Sequence, residues 1–139
     1  MTRFNGRVAL VTGGASGIGK ATAQRIAVEG GSVVIADVQD EIEQNGGAAA
    51  FVHLDVTDEQ GWADAVAQTV DRFGGLDILV NNAGIGDTEA LEVTTVDTWN
   101  KVVAVTQTSV FLGMKAAAEA LKQSGHGSVV NISSMYGIV

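Results

Sequence analysis

Residues 12–19 read TGGASGIG (Thr12-Gly13-Gly14-Ala15-Ser16-Gly17-Ile18-Gly19) and follow the apolar run Val8-Ala9-Leu10-Val11. Neither a strand nor a helix is served by so many glycines, because each loses more backbone freedom on ordering than any other residue. After the octet come apolar residues at Ala21, Ile26 and Ala27, a helical spacing that begins at Ile18. The octet is therefore the turn from a first strand into a first helix. In such a turn Gly13 permits the tight reversal. Gly17 lets backbone approach a pyrophosphate with no Cβ in the way, and Gly19 lets the helix pack closely on the strand. The free N–H groups and positive dipole end of the helix would face the phosphates. The spacing is G-x-x-x-G-x-G rather than G-x-G-x-x-G, and a tight turn with no ligand is the other, less favoured reading of the glycines alone.

Outward from this turn, apolar runs alternate with helical patterns. Strands are expected at 7–12, 32–37 (SVVIAD), 51–56 (FVHLDV), 76–81 (LDILVN) and 128–133 (SVVNIS). Helices are expected at 17–29, at 57–73 and, as one long helix, at 95–123. Thr57 opens the second with T-x-x-Q, a capping-box pattern, and Gly74-Gly75 closes it. The strands are near-continuous apolar runs, the pattern of a parallel sheet buried on both faces. Strand–helix alternation then gives right-handed βαβ units: one α/β domain over 1–139, a doubly wound five-stranded parallel sheet of order 3-2-1-4-5. Only ten residues separate Asp37 from Ala48, fewer than the dozen or so that a parallel crossover needs. Either that helix is a turn or two, or residues are missing near 44–47.

Composition narrows the function classes. The chain has 139 residues, 46% hydrophobic and 17% charged, enough apolar material for a core and too little charge for disorder. It has no cysteine, which excludes disulfides and thiolate metal sites. His53 and His126 form no ligand pair, so no metal is expected. Net charge is −8, with fourteen acids and only Arg72 as a base between Asp37 and Asp97. Nucleic acid is a poor partner for such a chain. No apolar run reaches the ~18 residues of a membrane span, and the first residues show no signal-peptide core, so a cytoplasmic protein is expected. Proline is absent; nothing in the sequence explains why.

Further polar residues stand where strands should end. Asp37 closes the second strand eighteen residues beyond Gly19, where dinucleotide sites place an acid for ribose hydroxyls; it would serve equally as the cap of the next helix. Asp55 closes the third strand, Asn81-Asn82-Ala83-Gly84 the fourth and Ser133-Ser134 the fifth. In an open parallel sheet, ligands bind at the carboxyl ends of the strands.

Thr12–Gly19 with Asp37, LDVT (Leu54–Thr57), NNAG (Asn81–Gly84) and NISS (Asn131–Ser134), in this order, resembles the short-chain dehydrogenase/reductase family from about Gly6 onward. The resemblance implies a Rossmann-type domain and hydride transfer between NAD(H) and a carbonyl or secondary alcohol. It implies that the glycine loop, with Gly13, Ser16, Gly17, Ile18 and Gly19, holds the pyrophosphate. Asp37 would hold the adenosine ribose and Asp55-Val56 would meet the adenine, while Asn82, Ala83 and Gly84 line the nicotinamide side. Ser134 would steady the substrate oxygen beside a catalytic tyrosine. With Asp37 at the ribose and no base at Val38 or Gln39, NAD is expected over NADP.

Two departures qualify this. The family's Tyr-x-x-x-Lys pair does not occur among these residues, and Tyr136 has no lysine four positions on. The chain is thus expected to be part of a longer enzyme or, alternatively, an NAD-binding module or scaffold without turnover. Thr106 stands where the family usually has an asparagine that helps carry a proton relay, which puts that relay in doubt. Val102, Val103, Val105, Val110, Phe111, Leu112, Met114, Ala117, Ala118 and Leu121 make the 95–123 helix apolar nearly all round, and members of the family commonly pair this helix across a subunit interface. Self-association through it is expected.

Overall fold

A computed structural model describes residues 2–39 and 48–137. The chain runs β1 (Val8–Thr12), α1 (Gly17–Val28), β2 (Ser32–Asp37), β3 (Ala48–His53), α2 (Glu59–Phe73), β4 (Ile78–Asn81), α3 (Val96–Val103), a π-helical turn (Ala104–Thr108), α4 (Ser109–Ser124) and β5 (Ser128–Asn131). A short 3-10 turn follows at Met135–Gly137. The five strands form one sheet in the order β3-β2-β1-β4-β5, with every pairing parallel. Fold class and strand order are as the apolar runs predict.

The central strands are buried on both faces because each face has its own helices. Leu10, Val34 and Leu79 pack with Trp62, Leu112 and Leu121 under α2 and α4. Ala9, Val11, Val33, Ile35 and Val80 pack with Ala23 and Ile26 of α1 on the other face. Helix α2 buries Trp62, Ala65, Val66 and Thr69, the i, i+3, i+4, i+7 stripe of a surface helix. Gly113 lets α4 close on α2, since a Cβ there would lie 2.6 Å from Cη2 of Trp62. All four residues of β5, at the sheet's edge, are exposed. Among the described residues no helix is long and apolar enough to cross a membrane.

Several boundaries differ from the sequence reading. The third strand runs 48–53, not 51–56. Ala48–Ala50 pair with Ser32–Val34 although alanine is a weak strand former, so sheet register overrides propensity. The strand stops at His53, opposite Asp37, and Asp55 then folds the backbone back by accepting Thr57 N–H at 2.9 Å. The capping box is not formed. Asp58 is the N-cap of α2, accepting Gln60 N–H at 3.0 Å, while the Gln60 side chain donates to Asp64. The fourth strand begins at Ile78 because the Asp77 carboxylate turns sideways to take Val8 N–H at 2.9 Å. The fifth ends at Asn131, leaving Ser133 and Ser134 beyond it. The single long helix is two helices joined by the π turn. There the Thr106 and Ser109 hydroxyls donate to the carbonyls of Val102 (2.5 Å) and Val105 (2.6 Å), the back-bonding that distorts helices. The short crossover and the gap expected near 44–47 lie outside the described residues.

Candidate functional site at the carboxyl edge of the sheet

The parallel register brings the carboxyl ends of β1, β2, β3 and β4 to one edge, and the residues at and beyond them enclose a cleft of about 540 Å³. Gly13, Ser16, Gly17, Ile18, Asp37, Asp55, Val56, Asn82, Ala83 and Gly84 line it. These are the residues singled out in the sequence for a cofactor, save Gly19, which is buried behind them.

Each glycine of the turn has its own reason. Gly13 has φ +61°, and Gly17 has φ +52° with open space where a Cβ would stand. Gly19 has an ordinary φ, but a Cβ there would lie 2.2 Å from the carbonyl oxygen of Gly13 and 2.5 Å from Nδ2 of Asn82. It is glycine because helix and loop backbone touch. Ser16 is the N-cap of α1, yet its side chain makes no capping hydrogen bond. The first turn of α1 carries no acid, so its N–H groups and dipole present an uncancelled positive end to the cleft.

The loop is held from behind by Thr12, whose role the sequence reading missed. Its buried hydroxyl accepts the N–H groups of Asn82 and Ala83, each at 3.0 Å, and donates to Val80 O at 3.4 Å. Asn82 returns the contact, its Nδ2 donating to the carbonyls of Thr12 (3.0 Å) and Gly13 (3.2 Å). Asn82 thus lines the cleft as a clamp between the β4 end and the glycine turn. A hydroxyl-bearing residue at the last position of a strand, just before a glycine turn, is the signal that could have found Thr12.

Both acids are fixed before any ligand arrives. Asp37 accepts Ala15 N–H on Oδ2 at 3.0 Å and Gln39 N–H on Oδ1 at 3.1 Å. It therefore caps its own turn and braces the glycine loop, and each oxygen keeps a further lone pair. Asp55 accepts both the hydroxyl (2.7 Å) and the N–H (2.9 Å) of Thr57 on Oδ1. The Thr57 hydroxyl, then its N–H, hold the Asp55 carboxyl below the usual carboxylate range against the opposing effect of burial, with a lesser contribution from nearby His53. Trp62 ties this stretch to α2, its indole N–H donating to Val56 O at 2.9 Å. Val38, Gln39, Leu54, Ile85, Lys101 and Val105 also line the cleft. Val38 had a legible signal, as an apolar residue stranded beyond a strand end; Lys101 and Val105 come from a distant helix and had none.

Neither of the two residues named for chemistry lines this cleft. The methyl group of Thr106 lies behind Gly84, 3.6 Å from where a Cβ on that glycine would be. Its hydroxyl donates to Val102 O. Ser134 is exposed beyond β5, with Oγ accepting Tyr136 N–H at 3.2 Å. No hydrogen bond joins Thr106 and Ser134 among the described residues. Tyr136 is 82% exposed. A larger hollow of about 940 Å³ lies between α1 and the β4–β5 edge, but its arginines Arg3 and Arg25 pair with Glu29 and Arg7 with Asp77.

A strand–glycine turn–helix whose dipole faces a cleft, with acids at or just past the next two strand ends, defines a doubly wound α/β domain. The chain belongs to the short chain dehydrogenase family, whose model it matches over residues 7–139. It is 49% identical over 144 residues to the 2,5-dichloro-2,5-cyclohexadiene-1,4-diol dehydrogenase of Sphingobium indicum, a match covering 98% of this chain and 58% of that protein. It is 42% identical over 141 residues to the 3-alpha-(or 20-beta)-hydroxysteroid dehydrogenase of Mycobacterium tuberculosis, covering 98% of this chain and 54% of that one. The crystal structure of a dehydrogenase/reductase from Sinorhizobium meliloti superposes with a TM-score of 0.79 at 40% identity, over 85% of this chain and 50% of that one. The chain spans a little over half the length of the curated relatives it matches.

Proposed function

We propose that this chain is the NAD(H)-holding part of an oxidoreductase acting on secondary alcohols and their ketones. The observation that carries the reading is the cleft: five strand ends meet on one sheet edge, and the residues at or past four of them already stand in fixed positions around it. The residues present fit a dinucleotide. The open approach at Gly17, the uncapped hydroxyl of Ser16 and the N-terminal N–H groups of α1 suit a diphosphate. Asp37, with a lone pair left on each oxygen, suits ribose hydroxyls. Val38 and Val56 offer apolar surface to an adenine, and Asp55 an acceptor to its amino group. A 2′-phosphate would place like charge against Asp37 with no arginine or lysine at Val38 or Gln39, so the cofactor is NAD and not NADP.

The nicotinamide, when bound, supplies or takes up the hydride. The chain's own work is positional: Asn82, Ala83 and Gly84 border the space for that ring, and the exposed Ser134 hydroxyl is free to donate to a substrate oxygen. The named relatives act on secondary hydroxyls of ring compounds, a cyclohexadiene diol and a hydroxysteroid. A cyclic secondary alcohol is accordingly the substrate class. A homo-oligomer paired through α3 and α4, in the cytoplasm, belongs to this reading, and the exposed apolar side chains of Val96, Trp99 and Phe111 support the pairing. A binding module without turnover is the second reading, favoured by Thr106, whose hydroxyl proton is held by Val102 O. The intact protein, given NAD and a panel of cyclic secondary and linear primary alcohols, should produce NADH absorbance with the cyclic set. Ser134→Ala should lower kcat about 10²-fold, the typical effect of one lost donor. Tight NADH binding with no turnover on any alcohol or ketone would select the second reading.

A further inference from the structure

Lys101 lines the cleft, and none of the motifs along the chain includes it. It is exposed at the end of α3. Two ordinary explanations for a surface lysine fail here. It has no ion-pair partner among the described residues, where Arg3, Arg7, Arg25 and Lys115 are all paired. Nor does it neutralise a helix C-terminus. The backbone continues through Ala104–Thr108 into α4, and Ala104 N–H is bonded to the carbonyls of Asn100 and Lys101. Among the residues lining the cleft, Lys101 is the one cation, in a lining that also holds the carboxylates of Asp37 and Asp55.

That charge pattern has a consequence for any dinucleotide. The diphosphate carries two negative charges, and the protein carries a net −8. At a distance the two carboxylates and the net charge oppose approach, and a cation at the cleft adds to the positive end of α1 in offsetting them. We propose that Lys101 draws the diphosphate of the cofactor into the cleft through space, so that it sets cofactor affinity through the association rate. This rests on the cofactor reading above. The long flexible stem and exposed ammonium suit attraction at a distance better than a fixed contact. A unit charge about 10 Å from a dianion in water changes affinity about fourfold at low salt. At about 0.5 M salt the screening length falls to a few ångströms and the effect vanishes.

The test is a fluorescence titration of the intact protein with NADH, with stopped-flow association rates, at low salt and at about 0.5 M salt. The variants are Lys101→Gln, Lys101→Arg and, as a control in the last turn of α4, Lys122→Gln. The expected result is a roughly fourfold weaker Kd for Lys101→Gln at low salt, carried by slower association and lost at high salt. Lys101→Arg and Lys122→Gln should match the wild type. A Lys101→Gln protein equal to wild type at low salt overturns the inference, as does a deficit that persists at high salt, which would mean lost packing. An equal loss in Lys122→Gln also overturns it, because net charge alone would then be responsible. Failure of the wild type to bind NADH overturns the cofactor reading and this inference with it.

Discussion

At the scale of single residues, the glycine turn separates two kinds of necessity. Gly17 is required by backbone angle and by empty space; Gly19 is required by contact. Gly19→Ala must push a methyl against the Gly13 carbonyl and the Asn82 amide, and overpacking of that kind costs about 1–3 kcal/mol. Gly17→Ala costs about 1–2 kcal/mol for its left-handed angle and obstructs the approach of a phosphate. Denaturant melts should show both losses. NADH titration should show that Gly17→Ala loses more affinity than its stability change alone explains. Thr12→Val is a third case. It preserves shape but leaves the N–H groups of Asn82 and Ala83 without their acceptor, a loss of about 1–3 kcal/mol per buried group. A melt unchanged from wild type would show that Thr12 does not hold the loop.

At the scale of elements, what could be read from sequence was whatever rests on local chemistry. The strand runs, the glycine stops and the polar residues at strand ends are local, and the sheet order followed from alternation alone. The start of β3 was not legible, because Ala48–Ala50 become a strand only by pairing with β2. The π turn was not legible either, since threonine and serine occur in unbroken helices too; here two hydroxyls capture successive carbonyls. The cleft's near wall was read from motifs, while Lys101 and Val105 reach it only because α3 and the π turn lead into α4, which packs on β4. The cap of α2 gives a direct test between pattern and structure. Asp58→Ala should cost about 1 kcal/mol by removing the cap on Gln60 N–H. Gln60→Ala should be near neutral, since its side chain reaches Asp64 rather than back to the helix start. The reverse ranking in thermal melts would restore the capping box.

At the scale of the whole molecule, one buried charge links the N-terminal segment to the fold. The Glu29 side chain is 3% exposed and is clasped by Arg3 and Arg25. The hydrogen bond from Arg3, followed by that from Arg25, holds its pKa at about 2 against the opposing effect of burial. Because the folded value lies below the ordinary 4.5, this group's contribution is complete above about 4.5 and is lost as pH falls toward 2. The difference in melting temperature between wild type and Glu29→Gln should therefore be constant from pH 7 to 5 and shrink below 4.5. A difference that grows on acidification would mean that Glu29 is not held as an anion. The molecule-wide claim is that the whole sheet edge is built to hold NAD(H), and that Asp37 decides against a phosphorylated ribose. It is tested most directly by titrating the intact protein with NADH and NADPH, for wild type and Asp37→Ala. The account predicts NADH tighter by about 10²-fold or more, a few kcal/mol, with the gap narrowed in Asp37→Ala. Equal or tighter binding of NADPH by the wild type would contradict it.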